Sequence, residues 1–282
     1  MDRELLLVAL LLTIAGPLLW AGSLARSRSI VRLSARDAEC EAWLALWKPA
    51  VPAWLLVIAL VGWALREPED AERLLDIQLL IAIPVAIVWA RAAYRAFFAV
   101  LRARRTGALA ATTGFFRPRV HLDPQLRTEL DADALAAVLA HERAHARHRD
   151  PLRIWLAQIV TDLQWPVPAA HERLAAWLSV LELARDEEAI VDGGVNGPDL
   201  AAAIITCARM EGRRRVLVAA MTGDGTALEA RVQRLLLIGA IPASARPRTW
   251  LAVAFVAAAM VALLSGMLIG EDAVRHFVGT PW

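Results

Sequence analysis

His141-Glu142-Arg143-Ala144-His145 sets two imidazoles four residues apart with a carboxylate beside the first. On a helix, residues i and i+4 share a face, so both rings can grip one Zn²⁺ while Glu142 reaches the water bound to it. The chemistry this spacing suits is metal-assisted hydrolysis of a peptide bond, with His141 and His145 as ligands and Glu142 as general base. The same five residues on an exposed helix can be chemically idle, so the elements around them must decide.

Those elements favour chemistry. Asp131 reads as an N-cap and Asp133 as a first-turn acid ahead of an apolar stripe of Leu135, Val138 and Leu139, while Asp150-Pro151 ends the helix soon after His145. A catalytic zinc takes three protein ligands and keeps a fourth position for water. The run from Arg173 to Val191 repeats Leu174, Trp177, Leu178, Leu181 and Ala184 with helical period and places Glu182 and Asp186 on one face. Glu182 is the expected third ligand, and Asp186 is expected to accept a hydrogen bond from a ligand histidine and so fix its tautomer. The alternative for Glu182, Arg185, Asp186, Glu187 and Glu188 is a solvated charged face. His148 is expected to face solvent among Arg143, Arg147 and Arg149. The only tyrosine, Tyr94, falls in an apolar segment, so His171, Arg173 and Arg185 are the candidates for stabilising an oxyanion or contacting substrate. Asp192-Gly193-Gly194 reads as a helix-ending turn; in a site-2-type intramembrane protease such an aspartate would be a metal ligand instead.

The rest of the chain puts this segment at a membrane. Hydrophobic residues make up 58% of the 282, mean hydropathy is +0.46, and the apolar residues come in blocks. Spans are expected at about 5–25, 49–65, 77–100 and 249–270, each near the roughly 20 residues that cross a bilayer; in the third, Arg91 and Arg95 snorkel or pair. The leader Asp2-Arg3-Glu4 is not net positive, so the first span is expected to be an uncleaved anchor and not a signal peptide. Arg26, Arg28, Arg32, Arg36 and Lys48 in the loop after the first span, and Arg102, Arg104 and Arg105 after the third, belong on the cytosolic side. The acidic loop Glu67-Pro68-Glu69-Asp70-Ala71-Glu72 and both termini then lie outside. Cys40 and Cys207 fall on the reducing side, and neither has ligand spacing.

The expected architecture is a mainly α membrane protein with a cytosolic helical zinc domain carrying a short strand segment, inserted between helices three and four. Residues 1–101 form the membrane region, 102–248 the zinc domain, 249–270 the fourth span and 271–282 an extracytoplasmic tail. Phe115 to Leu122 reads as an extended edge segment that could hold a peptide by backbone pairing. Pro198 to Met210 and Ala227 to Leu237 read as helices, the latter opened by the capping box Thr226-Ala-Leu-Glu229. Glu211-Gly-Arg213-Arg-Arg215-Val reads as an exposed basic loop. A net charge of +2 leaves no basic face for nucleic acid beyond what topology explains. A catalytically silent zinc scaffold stays open, although structural sites are commonly closed by four ligands including Cys, and no Cys lies near this pair.

Ala137 to Leu152, the later Glu182-Leu-Ala-Arg-Asp186 and the three-plus-one helix layout resemble the integral-membrane metallopeptidases of the beta-lactam sensor and antirepressor family, which are gluzincins. The resemblance implies His141, His145 and Glu182 as ligands of one zinc per chain, Glu142 as base, and a multi-pass protein of the bacterial cytoplasmic membrane. It further implies a cytosolic protein, often a transcriptional repressor, as substrate; members of that family can also cut themselves in the region of Glu211 to Val216, the alternative there being a membrane-proximal basic patch. The full sensors carry an extracellular penicillin-binding domain after the fourth helix, where only Glu271 to Trp282 stand here. A separate sensor protein or a different signal is therefore expected.

Overall fold

The structure, a computed structural model, describes residues 11–24, 34–66, 76–102, 109–215, 225–237, 258–263 and 265. A π-helical turn, Leu11–Ala15, leads into α1 (Gly16–Ser23), and α2 (Ala35–Trp47) joins α3 (Val51–Arg66) through a 3₁₀ turn at Lys48–Ala50. Next comes α4 (Asp76–Arg102), followed by the strands β1 (Ala110–Thr113) and β2 (Arg119–Leu122) and a single turn, α5 (Leu126–Glu129). The remaining helices are α6 (Ala132–His148), α7 (Asp150–Leu163), α8 (Pro168–Val191), α9 (Gly197–Arg215) and α10 (Gly225–Leu237).

Among the described residues, two helical runs are long and apolar enough to cross a bilayer, Ala35–Ala59 and Ala82–Leu101, and Leu12–Ser23 is a shorter apolar helix. The expected first span is helical from Leu11 to Ser23 and the third coincides with α4. Of the expected fourth span, only 258–263 and 265 lie among the described residues, and they are helical.

The stretch expected to be a cytosolic loop holds a helix, α2. Ser34 caps it by accepting from the Asp37 amide, and the free Ala35 amide donates to Glu187 Oε2 at 2.8 Å, so a carboxylate of α8 sits at the positive end of α2. Along α2, Glu39 accepts from the Trp177 indole at 2.9 Å and from Arg153, whose guanidinium lies 4.6 Å from the Trp43 ring centre. Leu46, Trp177 and Leu181 then close one core with Ala15, Leu19, Ala50, Ala53, Ala157 and Val160. The N-terminal helices thus share a core with α7 and α8. Close approach is needed here: a Cβ on Gly16 would stand 2.6 Å from a Val85 methyl, so α1 can lie against α4 only with glycine at that point.

α4 is clamped to α7 from the other side. Arg95 pairs with Asp162 at 3.0 Å, Arg91 approaches it at 3.9 Å, and the Trp155 indole donates to the Ala96 carbonyl at 3.0 Å. The two arginines of the apolar segment therefore pair instead of snorkelling.

β1 and β2 form an antiparallel hairpin in the register Ala110↔Leu122 to Thr113↔Arg119. Of the expected strand Phe115–Leu122, only Arg119–Leu122 is strand, because Gly114, at φ +95°, starts a tight return through Phe115, Phe116 and Arg117. α6 begins as expected, with Asp131 accepting from the Ala134 amide at 2.7 Å. It ends at Arg149, whose left-handed backbone (φ 52°) turns the chain straight into α7 at Asp150-Pro151. α9 remains helical through Arg215, so the expected loop at Glu211 is the last turn of a helix. α10 packs on the domain, with Leu235 and Val232 against Ala137, Ala140, Leu200 and Ala201.

Candidate metal centre

One turn of α6 presents His141 and His145 side by side, with their Nε2 atoms 3.0 Å apart. Glu182 comes from α8, its Oε2 3.6 Å from His141 Nε2 and its Oε1 3.7 Å from His145 Nε2. The donor atoms of these three residues all lie within 4.8 Å of one another. Bonds of about 2.0–2.1 Å in a tetrahedral zinc site put ligand atoms about 3.3 Å apart, and the observed separations bracket that figure. Two imidazoles and a carboxylate also form a donor set that suits zinc and leaves its fourth position open, so the residues present fit the ion.

Behind each histidine stands a carboxylate. His145 Nδ1 hydrogen-bonds Asp150 Oδ2 at 2.9 Å, which leaves Nε2 as the free donor atom facing the cluster. His141 Nδ1 lies 3.0 Å from Asp186 Oδ1, off hydrogen-bond alignment, and is buried. Asp186 therefore stands behind His141 but does not make the expected hydrogen bond to it. Asp150, read from sequence only as a helix terminator, supplies the matching support for His145. Asp150 is fully buried and is itself held by Arg185 through Nε at 2.5 Å and Nη2 at 3.1 Å, and by Arg153 at 3.1 Å.

Glu142, next to the first histidine, points into the same space. Its Oε2 and its carbonyl oxygen both lie 2.8 Å from the Thr112 hydroxyl of β1, which has one hydrogen to share between them. Thr112 was not foreseen, because nothing in Ala-Ala-Thr-Thr marks it. Arg231 of α10 was also not foreseen. It grips Asp186 with Nε at 2.5 Å and Nη2 at 2.7 Å and reaches Glu182 Oε2 with Nη1 at 3.0 Å. The bidentate grip fixes the carboxylate geometrically, as a lysine could not.

The charges at this site set one another. Burial opposes a charge on His141, but Asp186 and Glu182 outweigh it and hold the imidazole up at about 9. Burial likewise pushes Glu182 up, and His141 and Arg231 more than reverse this, so its carboxyl sits far below the usual range. Asp150 is depressed in the same way by His145 and Arg185 against its own burial.

The other sequence candidates lie elsewhere. His171 is exposed in the first turn of α8 and does not line the cavity, and Arg173 is buried with its guanidinium on the Ser23 carbonyl and Gln164. Arg185 is 2% exposed and committed to Asp150 and Glu188, so it supports the site from behind and cannot reach a substrate. His148 is exposed, as expected, and its Nε2 also bonds Glu188 Oε2 at 2.8 Å. Asp192 ends α8 and pairs with Arg36 at 3.0 Å, away from the cluster. The acidic run is not a solvated face, since Arg185, Asp186, Glu187 and Glu188 are all buried.

All three donor residues and Glu142 border one cavity of about 640 Å³, walled by Leu109 to Thr112 of β1 and its lead-in, Val138, Trp155, Leu200 and Arg231. Ala99 of α4 and Phe115 of the hairpin complete its rim. Comparison with curated proteins and with solved structures returned no match. Residues 108–235 match the family model described as BlaR1 peptidase M56, a stretch that begins just before β1 and contains His141, Glu142, His145, Asp150, Glu182, Asp186 and Arg231. Over this stretch the chain is similar to the BlaR1 peptidase M56 family.

Proposed function

We propose that the chain is a membrane-held zinc endopeptidase that cleaves a cytosolic protein as a step in signalling. The observation that carries this reading is the convergence of His141, His145 and Glu182 in a cavity that also holds Glu142. A zinc ion on these three residues would polarise the scissile carbonyl and lower the pKa of a bound water toward about 7. With the metal held there, Glu142 would be the residue placed to take a proton from the attacking water and hand it to the leaving amine. The Thr112 hydroxyl, shared between the Glu142 carbonyl and Oε2, leaves Oε1 for this transfer.

β1, and not the expected β2 side of the hairpin, is the strand beside the cavity, and a substrate held extended along it would place a peptide bond over α6. Arg231 is the one cation among the described lining residues, and it offsets the charge of Glu182 and Asp186. Glu142, Glu182 and Asp186 would balance one guanidinium and a divalent ion, so Arg231 and the ion are the groups that would favour the oxyanion of a tetrahedral intermediate.

The proposed topology has both termini outside, four spans, and residues 102–248 in the cytosol as the peptidase unit. A repressor is the proposed substrate class, with a separate sensor protein as the source of the signal. Purified full-length protein is expected to carry one zinc and to cleave casein or a neighbouring repressor, and Glu142→Gln to retain zinc and lose cleavage. Turnover surviving in Glu142→Gln would remove Glu142 as the base, and full-length protein without zinc would remove the metal.

A further inference from the structure

One face of α4 carries Ile83, Ile87, Ala90, Tyr94, Phe97 and Leu101, all exposed and spaced three or four apart. At 1.5 Å per residue this stripe runs for about 27 Å, close to the roughly 30 Å of a bilayer's hydrocarbon. Arg91 and Arg95 instead reach Asp162 on α7.

The β1–β2 hairpin is fastened near the end of this stripe. Phe115 stacks on Trp155 with ring centres 5.3 Å apart, and the Trp155 indole donates to the Ala96 carbonyl, one residue from Phe97. Ala99 and Phe115 border the same cavity. The hairpin tip therefore stands level with the last two turns of α4. Its next residue, Phe116, turns outward and at 77% is the most exposed large hydrophobic side chain among the described residues. On either side of Pro118, Arg117 and Arg119 are exposed and have no ion-pair partner among the described residues. An aromatic ring flanked by free guanidiniums is the composition that a bilayer interface accepts, the ring at the acyl boundary and the cations on phosphates.

We propose that the β1–β2 hairpin is a membrane-seated finger: Phe116 enters the bilayer interface beside α4, and Arg117 and Arg119 bind the phosphates of anionic headgroups. The finger holds β1, and with it the catalytic cavity, against the bilayer surface. The proposal rests on reading α4 as a membrane span.

The test uses the full chain with Cys40 and Cys207 replaced by serine, spin-labelled at Phe116→Cys or at Ile87→Cys. It is reconstituted in phosphatidylcholine vesicles with or without phosphatidylglycerol. Label collision with oxygen, which partitions into lipid, is compared with collision with a water-soluble nickel chelate. At both positions oxygen is expected to dominate several-fold, deepest at Ile87. Adding Arg117→Gln and Arg119→Gln is expected to move the label at position 116 toward water in the anionic vesicles alone. A label in lipid at 87 but in water at 116 overturns the finger and leaves the span standing. A label in water at 87 overturns the span, and the finger with it. A position-116 label indifferent to the two arginine changes overturns the headgroup contacts.

Discussion

At the scale of single residues, the centre is built as pairs in which each chemical group has a keeper. His145 has Asp150, which in turn has Arg185; Glu182 and Asp186 share Arg231; Glu142 has Thr112. Carboxylates behind ligand histidines typically tune metal affinity by 10–100-fold. Asp150→Asn keeps the shape and removes the charge, so zinc affinity measured by competition with a chelator is expected to fall about 10–100-fold. An unchanged affinity would leave Asp150 a helix-turn residue and nothing more. Thr112→Val keeps the volume and loses the donor to Glu142. One such hydrogen bond to a charged group, at about 1.5 kcal/mol, corresponds to roughly a tenfold loss in kcat with zinc content unchanged. His141, Glu142, His145, Glu182 and Asp186 were legible in the sequence because each pair repeats at the helical i, i+4 spacing or lies next to one that does. Thr112 and Arg231 were not, because their partners sit 30 and 45 residues away on other elements, and Asp150, five residues after His145, was not because it lies beyond the end of α6, where helical spacing no longer applies.

At the scale of elements, α8 shows how a charged run can lie in an interior. Its Asp186, Glu187 and Glu188 each point at a different neighbour: α10 through Arg231, the start of α2 through the Ala35 amide, and the end of α6 through Arg147 and His148. Sequence periodicity identified α8 correctly but could not separate a charged face toward water from one toward three helices. The same blindness hid α2, whose Arg36, Asp37, Glu39 and Glu41 read as a loop until Glu39 is seen under Arg153 and Trp177. Burial pushes Glu188 up, but His148, Arg147 and Arg185 hold it down at about 2, against an ordinary 4.5. A carboxyl depressed on folding adds stability that is fully present above its unfolded value and is lost as pH falls through the folded one. For this nearly buried group the shift corresponds to a contribution on the order of 3 kcal/mol. Glu188→Gln is therefore expected to be less stable at neutral pH by about that amount in denaturant melts. The gap to the wild type should narrow as pH is lowered from about 4.5 toward 2. A gap that stays constant over that range would mean that packing, and not ionisation, accounts for the loss.

At the scale of the whole molecule, the N-terminal helices and the helices that carry the donor cluster are not two bodies joined by a linker. Leu46, Ala50 and Ala53 from the N-terminal side bury Trp177 and Leu181 of α8 and Val160 of α7, and Asp162 of α7 pairs with Arg95 of α4 and lies near Arg91. The helix carrying Glu182 is thus positioned partly by residues more than a hundred places upstream. A fragment from residue 103 to 248 would keep every donor of the metal centre. It would also expose the Trp177 and Leu181 face, leave Arg153 without Glu39, and leave Glu187 without the α2 amide. Truncating a single buried Trp to alanine commonly costs 3–5 kcal/mol, and uncovering one along with two polar contacts costs at least as much, which is comparable to the whole stability of a small domain. The fragment is therefore expected to unfold without a cooperative transition and to bind zinc at least tenfold more weakly than the full chain in detergent. Adding residues 34–66 back in trans should recover part of that loss, because α2 brings its own N-cap, Glu39 and the Trp43–Trp47 pair to the exposed face. If the bare fragment melts cooperatively and matches the full chain in zinc affinity, the shared core is dispensable and α8 is positioned by α6 and α10 alone.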